Sequence, residues 1–469
     1  MAKSSQHPTP APGEMGWLPE CVYTGGKFET ALAFFADERG RITRFSREPE
    51  DLAAARPLKG QAALPGLVNT HSRSPLRLAR GRFRQRAHVS PDAGAPARQA
   101  LQRIAAAMQP EDIYDAARMA FLEMMLSGVT CVGEFHFLHH QTDGSRWPEP
   151  NLASHEVLRA ARDTGIRIAL LKVAAARHGN PDTEDPLISR ALTPDAAEFI
   201  RDMEALRAHV MREHPGDEAW LGIGIRGLQH APIAYIKEVA AYAHAQRFRL
   251  HMPVSATTAE NASCAEETGQ SPTQFLASHG LIDKRFNAVH ATHIAAADAE
   301  LLGAARAIIC HCPFAGLGEG ASSAPPLATL TAAGGAFALG TDTLMRGNLL
   351  EEARLLRHRL QAGDGGETPD AASLLRAATV TGARSLGAPT GALEAGRPAD
   401  FFTVNLHEPS VAGADADTLL EHIVFSLERR AIREIWVGGR RRIAGGHHPQ
   451  QGAIIGRFVD LQRRLWGSV

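Results

Sequence analysis

The stretch Leu64-Pro65-Gly66-Leu67-Val68-Asn69-Thr70-His71-Ser72-Arg73 decides the fold. An apolar run broken by Pro-Gly and ending in polar side chains is how a buried strand brings chemistry to the mouth of a parallel barrel. A histidine at 73 would complete a His-x-His pair able to hold a divalent cation. Residue 73 is an arginine instead. Imidazole offers a lone pair, whereas guanidinium has none and stays protonated. The stretch therefore has the layout of a metal site with one donor withdrawn.

Working outward, one theme repeats: a short apolar strand, then a helical stretch. Strands are predicted at 62–69, 129–137, 166–173, 220–228, 248–254, 287–290, 307–312 and 336–340. Helical spacing is predicted at 113–126, 196–214, 233–246, 273–281, 298–306, 327–333 and 349–361. The helix at 196 has a start signal in Thr193-Pro194-Asp195. Eight strands alternating with helices predict a (β/α)₈ barrel over residues 63–394. Short alternating segments at 15–62 and 395–469 predict a small β-sandwich domain built from both termini. Residues 1–14, polar and rich in Pro and Ser, read as a disordered tail.

The chain has 469 residues and a formal net charge of −1. That balance gives no reason to expect nucleic acid or an anionic membrane as partner, and no apolar run reaches a membrane span. Five scattered cysteines suit reduced thiols and a cytoplasmic protein. Cys310-His311-Cys312 has no second pair at metal-finger spacing, and its alternation suits a strand. The basic runs at 77–86 and at Arg440-Arg441-Arg442 read as solvated faces.

Five strand ends carry polar groups: His71-Ser72-Arg73, the run Glu134-Phe135-His136-Phe137-Leu138-His139-His140, His251, Val289-His290-Ala291-Thr292-His293, and Gly340-Thr341-Asp342-Thr343. A single strand-end histidine is commonly a hydrogen-bonded structural residue. Several imidazoles converging with one carboxylate form instead a ligand set for zinc or iron.

These residues resemble the amidohydrolase superfamily, and within it the formimidoylglutamate deiminases. The run Glu134 to His140 is the specific part; Gly396-Arg-Pro-Ala-Asp400-Phe and Ile435-Trp-Val-Gly-Gly439-Arg add to it. The resemblance covers about residues 15–455. It implies a distorted barrel with a terminal β domain, a homodimer, and hydrolysis of a C–N bond. It also implies a metal held at His71, position 73, His251 and Asp342. His290 and Asp342 would be catalytic, and the metal would supply hydroxide at neutral pH.

Several positions depart from that pattern. Arg73 replaces a ligand, and Val254 stands where the acid/base glutamate belongs. Phe137 and Leu76 replace a tyrosine and a glutamine. Ile225-Arg226-Gly227-Leu228-Gln229 replaces a substrate-facing His and Arg, and Arg98 is the position that keeps a carboxylate-binding arginine. The expected substrate contacts are therefore Arg98, Arg226, Gln229, Phe137 and Leu76. The simplest arrangement pairs Arg73 with Asp342, the arginine standing in for the ion. In the alternative, Arg73 swings outward and His71, His251 and Asp342 hold a weak zinc or iron ion. The sequence thus predicts a divergent C–N hydrolase acting on a small molecule other than formimidoylglutamate. The other reading is an inactive, metal-free homologue that binds a ligand or partner.

Overall fold

The computed structural model describes residues 13–82, 95–179, 187–315, 324–343, 346–362 and 368–467. The expected tail at 1–14 falls outside them except for Gly13 and Glu14. Glu14 belongs to the fold: it accepts a hydrogen bond from Thr43 and pairs with Arg44 at 3.2 Å.

The N-terminal strands are β1 (Met15–Thr24), β2 (Lys27–Thr30), β3 (Ala33–Ala36), β4 (Ile42–Ser46) and β5 (Arg56–Pro65). Eight barrel strands follow: β6 (Leu67–Ser72), β7 (Val129–His136), β8 (Arg167–Ala174), β9 (Ala219–Ile225), β10 (Leu250–Val254), β11 (Phe286–His290), β12 (Ile308–His311) and β13 (Ala336–Leu339). The chain ends with β14 (Phe401–Asn405), β15 (Ile432–Val437) and β16 (Arg440–Ile443).

The barrel strands pair in parallel and in chain order from β6 to β13. They are apolar runs because both faces are covered, by the barrel interior and by helices; every residue of β7 and β8 is buried. The predicted helix start at Asp195 is present: its carboxylate accepts from Ala197 N at the head of Ala196–Glu213.

The terminal strands form one mixed sheet, ordered β16-β15-β14-β5-β1-β3-β4 with β2 beside β1. Its core is aromatic. Trp17 from the N-terminal part lies 5.2 Å from Phe34, 5.3 Å from Phe401 and 5.3 Å from Trp436. Gly40 lets the two ends meet: its φ is +74°, and a Cβ there would sit 2.0 Å from Gly438 O.

The strand predicted at 62–69 is two strands. Pro65 closes β5 against Phe401 of β14, and Leu67 opens β6 against Val129 of β7. Gly66 makes the passage: a side chain there would strike Thr130 at 2.0 Å.

One buried charge cluster joins the two sheets. Arg167 at the start of β8 has 3% side-chain exposure and pairs with Asp400 at 2.6 Å. Asp400 also accepts from Gly438 N. Asp400→Ala removes one partner of a buried pair, so a loss of about 3–5 kcal/mol is expected, measured by urea unfolding.

Candidate functional site at the barrel mouth

The site arises where the sheet closes. The amides of Thr341 and Asp342 both donate to His71 O at 2.9 Å, and Ser72 bridges Asp342 in parallel. Asn69, which sequence reasoning missed, locks this seam: its Nδ2 donates to Thr341 Oγ1 at 2.8 Å and its Oδ1 accepts from Thr341 N at 3.2 Å. The first and last barrel strands therefore deliver His71, Arg73 and Asp342 to one place.

Arg73 Nε donates to Asp342 Oδ1, and Arg73 Nη2 donates to Oδ2 at 3.0 Å. The fork takes both carboxylate oxygens, the geometry expected of a bidentate pair. His71 Nε2 lies 3.5 Å from Asp342 Oδ1, and His290 Nε2 lies 3.8 Å from Oδ2. The donor atoms of His71, His290 and Asp342 all lie within 4.8 Å of one another. Phe135 packs on His71 at 4.8 Å, and the Arg73 guanidinium lies 5.9 Å from the Phe137 ring.

That trio differs from the expected ligand set in one member. His290 is in it and His251 is not. His251 points Nε2 at Ser385 O, 3.2 Å away, and its Nδ1 is buried without a partner. Glu134, assigned no role from sequence, holds the turn after β6 by accepting from Ser74 N at 2.6 Å. A carboxylate in an otherwise apolar strand was the available signal.

Burial governs the charges. It pushes the Asp342 carboxyl up, but Arg73 outweighs it, with His71 and His290 adding, so the group stays ionised well below the usual carboxylate range. Burial lowers His290 to about 3 against the pull of Asp342, and lowers His251 to about 3. His71 is lowered by the same cause, again opposed by Asp342. At neutral pH the site holds one fixed ion pair and three neutral imidazoles.

The backbone here is strained. Ser255, His290, Ala291 and Asp342 all have positive φ without being glycine. They are four of the seven such residues among those described, and such strain concentrates at functional sites.

A cavity of about 520 Å³ opens beyond β9 and β10, lined by Arg226, Gln229, His230, Thr257 and Glu260. Burial raises Glu260 to about 7, against the backbone donors at the start of its helix. Arg226 and Gln229, expected to contact substrate, both line this cavity. Leu76 does not: it is 2% exposed and belongs to the main apolar core, because the turn Ser74–Ala79 directs it inward. Phe137 is also a core residue, although its ring faces Arg73. Val254 is fully enclosed. Arg98 lies half-buried on the helix Ala95–Ala107 and is not among the residues lining this cavity.

Other motif residues meet backbone carbonyls and side chains, while His136 keeps both ring nitrogens buried without a hydrogen-bond partner. His139 and His140 meet the carbonyls of Val173 and Leu192 at 2.8 and 2.6 Å. His311 meets His290 O at 2.8 Å, and Cys310 meets Thr70 Oγ1 at 2.7 Å. Arg77 and Arg80 share Glu123, so this part of the basic run is paired rather than solvated; 83–86 lie outside the described residues. No helix among the described residues is long and apolar enough to cross a membrane.

Known proteins resemble this chain. The chain is 30% identical over 421 residues to a formimidoylglutamate deiminase of Pseudomonas aeruginosa, covering 87% of this chain and 90% of that one. It is 28% identical over 404 residues to a 5-methylthioadenosine/S-adenosylhomocysteine deaminase of Teredinibacter turnerae, covering 82% and 80%. An adenosine deaminase structure from Xanthomonas campestris, solved with bound zinc, superposes with a TM-score of 0.81 at 22% identity, covering 97% of this chain and 99% of that one. The sequence profile of the Amidohydrolase family matches residues 62–442. With that match over most of its length and the relatives above, the chain belongs to the amidohydrolase family.

Proposed function

We propose that this chain is a divergent amidohydrolase that acts on the C–N bond of a small molecule other than formimidoylglutamate, with the Arg73–Asp342 pair in the metal's position. The observation that carries this is the bidentate fork itself. His71, His290 and Asp342 alone are a plausible ligand set. With both Asp342 oxygens held by Arg73, the residues present do not fit a divalent ion. At about 5 Å and an effective dielectric of about 20, a +1/+2 pair repels by roughly 7 kcal/mol.

Chemistry then falls to the side chains. His290 or Asp342 can take a proton from a water whose hydroxide attacks an amidine-like carbon; that proton passes to the leaving nitrogen, and ammonia departs as the C–N bond breaks. Arg73 offers positive charge to the developing anion. Arg226 and Gln229 suit a substrate bearing an anionic group. Val254 removes the acid/base help worth roughly 10²–10⁴-fold, and a His290 near 3 is a weak base at pH 7, so turnover is expected to be slow. Those same two facts favour a second reading, ligand binding without turnover.

Elemental analysis of the purified full chain, with hydrolysis assays on amidine and amide substrates with and without added zinc, tests both. Well under one metal per chain and zinc-independent ammonia release are expected. Stoichiometric zinc would overturn the proposal, and metal-free protein that binds but never hydrolyses would select the second reading.

A further inference from the structure

The basic run Arg440-Arg441-Arg442 is not a solvated turn throughout. Arg440 and Arg442 on β16 line a cavity of about 290 Å³ with Arg162, Arg167, His214 and Glu218. This cavity lies at the starts of β8 and β9, at the opposite end of the barrel from His71 and Asp342. It is walled on its other side by Val437 of β15.

Its charge is unbalanced. Arg167 is matched by Asp400 and Asp217. Arg162 has only an exposed contact with Asp163 at 3.4 Å. Arg440 and Arg442 have no carboxylate within ion-pair distance among the described residues, and Arg442 Nε is buried without a hydrogen-bond partner. Glu218 is the single carboxylate lining the cavity. Burial lowers Arg442, and Arg440 lowers it further, the signature of cations held together.

The cavity depends on the local sequence. Gly165, with φ +82°, ends the helix Leu152–Thr164, and a Cβ there would sit 2.7 Å from Arg442 Cδ. Any other residue would push the arginine aside. Arg442, half-buried, and Arg440, exposed, face this open volume without a carboxylate partner among the described residues, and guanidinium forks suit oxyanions. We propose that this cavity is a second ligand site, which binds the oxyanion group of a small molecule between Arg440 and Arg442. The site is independent of the chemistry at the barrel mouth.

Isothermal titration of the full chain in low-chloride buffer tests this, with inorganic phosphate in one arm and malonate in the other. Saturable binding of at least one is expected. Phosphate alone assigns a phosphoryl group, and malonate alone a carboxylate. Arg440→Gln, an exposed position that leaves the fold intact, is expected to weaken binding roughly tenfold or more, as is Arg442→Gln. Arg463→Gln, an exposed arginine outside the cavity lining, is expected to leave it unchanged. A purely structural Arg442 at the helix end would lower the melting temperature with no effect of Arg440→Gln on affinity. That result, the absence of saturable binding of either anion, or equal loss of binding in Arg463→Gln would overturn the proposal.

Discussion

The Arg73→His, Val254→Glu double variant is expected to bind zinc at least about 10⁴-fold more tightly than the unaltered chain. The substitution at 73 does two things at once. It removes a fixed positive charge whose repulsion of a divalent ion is roughly 7 kcal/mol, and it adds an imidazole donor. At 1.4 kcal/mol per tenfold, the repulsion alone corresponds to almost 10⁵ (roughly), and some of that is offset by leaving Asp342 without its partner when no metal is present. The scaffold already holds His71, His290 and Asp342 within 4.8 Å of one another. Zinc titration after exhaustive dialysis, with elemental analysis, reads the outcome. Val254→Glu adds a proton carrier at the end of β10 and should appear in turnover of the zinc-loaded variant rather than in affinity. A double variant that folds normally and gains no zinc affinity would show that the ligands are not poised around one point.

Arg73→Met is expected to destabilise the chain by about 3–5 kcal/mol at pH 7, because it strands a buried carboxylate. Asp342 is 2% exposed and keeps only the neutral His71 and His290 beside it once Arg73 is gone. Adding Asp342→Asn should recover much of the loss, since breaking a buried pair costs more than replacing both partners. The pH dependence has a definite sign. Asp342 binds its proton more weakly in the folded chain than in the unfolded one. The contribution of the pair is therefore complete above about pH 4 and fades as pH falls toward the folded-state value. In the Arg73→Met variant the upward push of burial is opposed by His71 and His290 alone, so the carboxylate takes up a proton more readily and the gap between the two proteins narrows in acid. Urea unfolding of the chain, the single variant and the double variant at neutral and acid pH measures this. Equal stability of all three at pH 7 would mean that the ion pair contributes nothing.

Much of the barrel could be read from local pattern. Seven of its eight strands were predicted to within three residues at either end, because a strand buried on both faces is a short apolar run whatever its neighbours. The helix start at Asp195 was equally local, since a cap depends on three consecutive residues. The division at Gly66 was not legible. Nothing in an unbroken apolar run says that Pro65 pairs with Phe401 while Leu67 pairs with Val129.

The site divides in the same way. Side-chain chemistry is carried by residue type: an arginine at 73 offers no lone pair and a valine at 254 no titratable group. Where those side chains point depends on contacts far apart in the chain. Arg73 meets Asp342 across 269 residues because the first barrel strand closes on the last. That closure, together with the left-handed backbone at His290 and Asp342, accompanies the choice of His290 over His251 as the third member of the cluster. It was the turn after β6 that sent Leu76 into the core, and the glycine ending a distant helix that made room for Arg442. Sequence by itself determined the barrel and the residue types at its mouth. Tertiary structure alone decided which of those groups meet, because hydrogen-bond register and packing between strands remote in sequence leave no periodic trace in the chain.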